Sequence, residues 1–351
     1  MENSAGLHVE EKVKKRSSRK LLNIIKYAFF LLGGIGIFFW VYRGQSPTEI
    51  WTGLRRFDYG WIILSFFLAL LSHFFRALRW RMLIQPLGFN PRISNTFLAI
   101  LIMYLANYAL PRLGEVTRCG ILKKYEKVPF TAQLGTVVVE RAVDFVVLLI
   151  LLLVVLLMEW TRISTFLMSQ QLDSSSMIVR TFTSGLIYWM FALMIIFILM
   201  IWLFRNALLR FTLFRKLAAW FKKFVEGIKS IKRLKYPLWF IVLTLLIYSL
   251  YFGMTYTVCK AFEPTHSLGF AVALSVLTLG SVGMVIPVQG GIGTYHFFTV
   301  ETLVLFGVGR ADSQLLAFVL HGSMSLFLIM VGAIALIILP WINNKTRSKT
   351  F

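Results

Sequence analysis

"IPVQGGIGTYH", residues 286–296, places a proline, a glutamine, three glycines and a histidine in one short run of a largely apolar chain. In bilayer hydrocarbon, irregular backbone survives only inside protein or beside a water-filled cavity, because unsatisfied N–H and C=O groups are costly there. The run is therefore either a loop outside the membrane or a broken element at a polar site within it. That choice decides the fold.

The rest of the chain sets the solvent. Its 351 residues are 58% hydrophobic and carry a net charge of +22, more apolar than a soluble domain needs. Runs such as "VVLLILLLVVLLM" (146–158) and "YWMFALMIIFILMIWLF" (188–204) approach or reach the length of one bilayer crossing. Composition predicts an all-α polytopic membrane protein. The apolar run 21–42 follows the basic "EEKVKKRSSRK" with no small-residue cleavage signal, which reads as an uncleaved first span. Cys119 and Cys259 lie far apart with no C-x-x-C spacing, so neither a disulfide framework nor a thiolate metal site is expected. A G-x-x-x-x-G-K-[ST] phosphate loop is missing, and no cofactor is expected. The basic excess flanks the apolar segments, which fits membrane topology and anionic headgroups, not nucleic acid.

Strong apolar segments fall at 21–42, 60–79, 131–158, 180–204, 237–260 and 312–339, about six full spans. Two more, 95–110 and 267–308, are interrupted by "NYALPRLGE" and by the opening run. If 95–110 crossed the membrane and the N-terminus were cytoplasmic, the basic stretch 205–236 would lie outside, against the positive-inside rule. If 95–110 enters and returns instead, Arg79, Arg81, Arg92, Lys123, Lys124, Lys127 and the 205–236 cluster all become cytoplasmic. The weakly charged loop 161–179 is then outside, and both termini are inside. Under this assignment 267–308 must also return to the side it came from, as a hairpin broken at Pro287.

Each half then reads span, span, P-x-x-G hairpin, span, in opposite orientation. That is the pattern of inverted-topology repeats whose broken helices meet at a midplane site. The expected organisation is one transmembrane domain, 21–340, with halves 21–158 and 180–340. Basic cytoplasmic tails, 1–20 and 341–351, flank it. Between the halves' spans, 205–235 repeats Phe, Leu and Ile at three or four residues with Lys and Arg between, an amphipathic helix suited to the inner headgroup layer.

Proline stops a helix and glycine permits φ > 0 and close approach, so Pro111, Gly114, Pro287, Gly290, Gly291 and Gly293 mark the two tips. A helix restarting after such a tip offers free N–H groups and a positive dipole end to an anion. Gln289, Tyr295 and His296 add hydrogen-bonding groups; a plain turn is the simpler reading of this run. In "VVVERAVDFVV" (137–147), Glu140, Arg141 and Asp144 stand inside an apolar span, with Glu140 and Asp144 on one helical face. Central charges are expensive in a membrane, so these face a cavity or pair together. The simplest pairing is between Glu140 or Asp144 and Arg112 or Arg118. His321 lies about as deep in its span as Glu140 does, and reads as a packing residue or a second polar group. Arg76, Arg79 and Arg81 end the second span, where snorkelling to the interface is the expected role.

"RALRWRMLIQPLG", "YLANYALPRLGEVTRCGIL", "VVVERAVDFVVLL" and "PVQGGIGTYH", in that order, resemble the flippase-like transmembrane domain of lysylphosphatidylglycerol synthases. The resemblance runs from about 20 to 340, and its N-x-x-L-P-x-x-G-E and E-R-x-x-D elements are the specific ones. It implies translocation of a lipid between leaflets of the inner (cytoplasmic) membrane, with aminoacylated phospholipids or polyprenyl-linked lipids as substrates. The matching residues are Asn107, Pro111, Gly114, Glu115, Arg118, Glu140, Arg141, Asp144, Pro287, Gly290, Gly291 and Gly293. Where many relatives carry an acidic residue after the G-x-G, this chain carries Tyr295-His296, which bears on substrate charge. No synthetase domain accompanies these residues, so the chain is not expected to make an aminoacyl lipid itself.

Three functions fit the sequence. The first is a lipid translocase for an anionic or aminoacylated lipid, with Arg112, Arg118 and Arg141 replacing headgroup hydration. The second is an accessory subunit serving a lipid synthase or glycosyltransferase partner. The third is a membrane-embedded transferase, for which no D-x-x-D or H-x-x-x-x-D arrangement is present.

Overall fold

The computed structural model describes residues 30–162 and 231–347. The expected span 180–204, most of the loop 161–179 and the amphipathic stretch up to 230 lie outside the described residues. So do 1–29 and the last four residues.

Every described element is helical apart from one isolated bridge between Phe57 and Phe262. The chain order is α1 (Phe30–Val41), α2 (Pro47–Leu54), α3 (Tyr59–Ile84), α4 (Ile93–Ala109), α5 (Leu113–Glu126) and α6 (Phe130–Met158), then α7 (Pro237–Lys260), α8 (Glu263–His266), α9 (Phe270–Val285), α10 (Thr294–Leu305) and α11 (Arg310–Arg347). Four of these, α3, α6, α7 and α11, are long and apolar enough to cross a membrane. Helix α6 is the most apolar and least buried of the four. The second expected span ran to 79, but α3 continues to Ile84 before Pro86 closes a short 3₁₀ turn.

Both interrupted segments fold as hairpins. Leu110 is extended (φ −145°, ψ 135°), as the residue before a proline prefers. Pro111 then stops α4, Arg112 turns the chain at φ +66°, and α5 packs back on α4. In the second hairpin Ile286, ahead of Pro287, is extended. Gly290, Gly291 and Gly293 all take positive φ before α10 returns against α9.

The helices pack in pairs that repeat between the halves. Helix α3 packs on α4 as α7 does on α9; α4 packs on α5 as α9 does on α10; α5 packs on α6 as α10 does on α11. Helix α4 also meets α11, and its counterpart α9 meets α6. The two equivalents α3 and α7 run antiparallel. Phe57, just before α3, stacks on Phe262, just after α7, at 4.4 Å. At the opposite end Arg79 lies over Phe240, near the start of α7. Helices α4 and α11 are antiparallel too, since Asn95 bonds Asn343 (2.8 Å) and Tyr108 bonds Ser325 (2.9 Å).

Candidate functional site

The geometry of the first tip comes from one asparagine. Asn107, in the last turn of α4, accepts from the backbone N–H of Gly114 through Oδ1 at 2.8 Å. It thereby satisfies one of the orphan donors at the start of α5, a task usually given to an N-cap side chain. Gly114 is required by contact as well. A Cβ there would stand 2.1 Å from the Met103 carbonyl oxygen.

The second tip is held by its own glutamine and by α1. Gln289 donates its side-chain amide to the carbonyls of Tyr108 (3.3 Å) and Ala109. The tips of the two hairpins therefore touch. Gly293 (φ +85°) lets α1 cross directly over the turn, where a Cβ would lie 2.2 Å from the Gly34 carbonyl oxygen. His321 Nε2 lies 2.7 Å from the Gly290 carbonyl oxygen and so donates to it. His296 Nδ1 accepts from the Gly293 N–H at 3.3 Å. The two imidazoles are 4.7 Å apart, and Tyr295 packs 5.1 Å from His321. The second half thus builds a neutral aromatic and histidine cluster under its tip.

The first half builds a charged one. Glu140 of α6 pairs with Arg118 of α5 at 2.8 Å and with Arg76 of α3 at 3.1 Å. Asp144, one turn on, pairs with Arg79 at 2.6 Å and Arg76 at 2.5 Å. Arg118 lies over the ring of Trp80 at 4.3 Å, whose indole N–H donates to Thr136. Arg76 also reaches the Tyr104 hydroxyl, and Tyr248 donates to the Asp144 backbone carbonyl. Arg79, Arg118 and Glu140 have fully buried side chains.

Arg76 and Arg79 correct the expectation of interfacial snorkelling. Both are buried partners of the α6 carboxylates, and only Arg81 of the three stays near the end of α3, bonded to Asn90. The signal was present in spacing. His73, Arg76 and Arg79 follow Ser65 and Ser72 along one face of α3, too deep to be an end-of-helix cluster. Arg112 is also corrected, because it is exposed at the tip turn and Glu140 and Asp144 draw on Arg118, Arg76 and Arg79 instead.

At the edge of this buried core, Arg141 Nη2 contacts Glu115 Oε1 at 3.1 Å, with Asp144 3.9 Å away. The Arg141 side chain is 43% exposed. Ten residues separate Phe130 from Glu140, about 15 Å of helix, or half of the ~30 Å hydrocarbon thickness. The four arginines face three carboxylates, which leaves the cluster with an excess of positive charge. Among the described residues no group of His, Cys, Asp or Glu is arranged to hold a metal ion.

Two touching hairpins, four long apolar helices and a charged cluster inside them define a polytopic helical membrane protein. The chain belongs to the lysylphosphatidylglycerol synthase TM region family, whose profile matches residues 23–343. A UPF0104 membrane protein of Methanocaldococcus jannaschii is 34% identical over 92 residues, covering 25% of this chain and 27% of that protein. The similarity thus spans about a quarter of that relative's length. No solved structure matches the chain.

Proposed function

We propose that this chain is a lipid translocase that moves an anionic or aminoacylated phospholipid, or a polyprenyl-linked lipid, between leaflets of the inner membrane. In this reading the halves are inverted repeats with both termini cytoplasmic. The hairpins re-enter from opposite sides, and their tips meet near the midplane. The antiparallel α3–α7 pair and the repeated packing partners support that arrangement. So do the lengths of α4 and α9, 17 and 16 residues, about 25 Å each and shorter than a full crossing.

One observation carries the functional reading: Arg141, 43% exposed and paired with Glu115, stands eleven residues past the start of a membrane-length helix, about 16 Å along it. Such a pair cannot face hydrocarbon and calls for water or a polar headgroup beside it. Stripping an ionised headgroup of water costs tens of kcal/mol, roughly, in a medium without compensating groups. Arg141 and Arg112 supply that compensation at the tip, while the acyl chains stay in lipid. The buried arginine–carboxylate core holds α3, α5 and α6 together so that Arg141 is correctly placed.

The test is a leaflet-resolved assay. Proteoliposomes carrying a headgroup-labelled anionic phospholipid are treated with a membrane-impermeant quencher. The purified chain should expose inner-leaflet lipid much faster than protein-free liposomes do. Equal rates for every candidate headgroup would overturn the reading.

A further inference from the structure

The Arg141–Glu115 contact is incomplete on both sides. A guanidinium can present a planar fork of donors to two acceptor oxygens, and the bidentate form is the stronger one. Here Nη2 lies 3.1 Å from Glu115 Oε1, while Nη1 is 3.9 Å from Asp144 Oδ2. The other carboxylate oxygen, Glu115 Oε2, is buried with no hydrogen-bond partner, a costly state for an acceptor. The remaining face of Arg141 is open. The three buried arginines differ, because each is enclosed and contacts Glu140, Asp144 or both within 3.6 Å.

The two partners also sit on different elements. Arg141 belongs to α6 and Glu115 to the first turn of α5, just after the tip. On α6 the exposed Val138 and Phe145 share the face of Arg141, three residues before it and four after, and on α5 the exposed Val116 follows Glu115. An anion bound to an acyl chain meets both requirements of this surface, while a soluble anion meets only one.

We propose that Glu115 is an internal stand-in for the phosphate of the lipid. It neutralises Arg141 in the unloaded protein and is displaced when the lipid phosphate takes both guanidinium donors. The inference rests on the lipid-carrier reading and deepens it by naming phosphate as the group recognised. Glu115 becomes a selectivity element. A lipid whose headgroup lacks an available anion cannot compete with a carboxylate already in place. Displacement releases Glu115 from Arg141 while Arg118 keeps α5 on Glu140.

Binding, not transport, tests this, so its failure is separable from that of the translocase reading. The full chain in nanodiscs of digalactosyldiacylglycerol, which carries no phosphate, is titrated with phosphatidylglycerol, diacylglycerol and inorganic phosphate. Glu115→Gln should tighten phosphatidylglycerol binding about tenfold, equivalent to ~1.4 kcal/mol. The gain should vanish in an Arg141→Gln background, and Glu115→Asp should fall between wild type and Glu115→Gln. Unchanged or weaker phosphatidylglycerol binding in both Glu115 variants would overturn the proposal. So would an equal gain for diacylglycerol, which has the acyl chains and no phosphate. Inorganic phosphate binding as tightly as the lipid would assign the site to a soluble anion and equally overturn it.

Discussion

Arg118 and Glu140 pair at 2.8 Å with neither side chain exposed to solvent or lipid. Bringing two charges into such a place costs several kcal/mol per ion, about, before their attraction is counted. Glu140 is shared with Arg76 and Arg79, so removing the carboxylate should be severe and removing Arg118 along with it less so. Glu140→Leu alone should destabilise the chain by about 3–5 kcal/mol, Arg118→Met by less because Arg76 and Arg79 still face Glu140, and the double variant should recover part of the Glu140→Leu loss. Thermal unfolding in detergent, followed on all three variants, measures it.

The first tip should be intolerant of one methyl group and indifferent to another six residues away. Gly114→Ala would drive a Cβ to 2.1 Å from the Met103 backbone oxygen, so the hairpin cannot close and the folded yield should collapse. Gly120→Ala meets nothing within 4 Å and should be neutral or stabilising by up to about 1 kcal/mol. Asn107→Ala, which leaves the Gly114 N–H without its acceptor, should cost about 1–2 kcal/mol. Unfolding midpoints of the three variants rank them.

Much of this was legible in the sequence, because proline and glycine act locally. Pro111 and Pro287 break their helices within a residue or two of where the P-x-x-G pattern puts them. The span 237–260 is reproduced to the residue. The i,i+4 spacing of Glu140 and Asp144 correctly put both carboxylates on one face, and Arg118 was among the partners expected. For Arg76 and Arg79 the shared face with Ser65, Ser72 and His73 marked a buried polar stripe, while the partners themselves depend on which neighbour covers that face. No local pattern reveals that α5, α6 and α7 all close over α3. The Gln289 contact with Tyr108 and Ala109 is likewise a product of the tips meeting, and a glutamine beside glycines carries no sign of it.

Membrane sidedness follows from the inverted-repeat reading. Cys119 and Cys259 are buried, so single cysteines can be placed in a background lacking both. Thr48 and Ser267 are exposed and lie toward the Phe57–Phe262 end of the bundle, while Asn90 is exposed near the end of α3. Cysteines at 48 and 267 should react with an impermeant reagent from outside only, and a cysteine at 90 from the cytoplasm only. Labelling of 48 and 267 from the cytoplasm would reverse the orientation.

The short helix α2 offers a pH handle away from the membrane core. The Ser46 backbone N–H donates to Glu49 at 2.7 Å, and Glu49's own N–H is bonded by the Ser46 hydroxyl. The Ser46 backbone N–H first, and then the Ser46 hydroxyl, hold the Glu49 carboxyl below its ordinary value of 4.5. A depressed folded value means the contribution is present above the unfolded pKa and lost as pH falls through the folded one. Amide exchange in α2 should therefore be protected at neutral pH and, after correction for intrinsic exchange, lose protection as pH falls below the ordinary carboxylate range. Glu49→Gln should remove that pH dependence and leave the rest of the chain unchanged.

The most direct measurement compares leaflet exchange of labelled phosphatidylglycerol by wild type and by Arg141→Gln, reconstituted at equal folded amounts. Arg141 is half-exposed and outside the buried core, so the variant should fold and unfold like wild type. Losing the charge facing the headgroup should slow exchange by at least tenfold, since truncating one side of a desolvated charge contact costs about 2–5 kcal/mol. Arg141→Lys should restore only part of the rate, because a point charge cannot replace the planar fork. Exchange by folded Arg141→Gln at the wild-type rate would contradict the account.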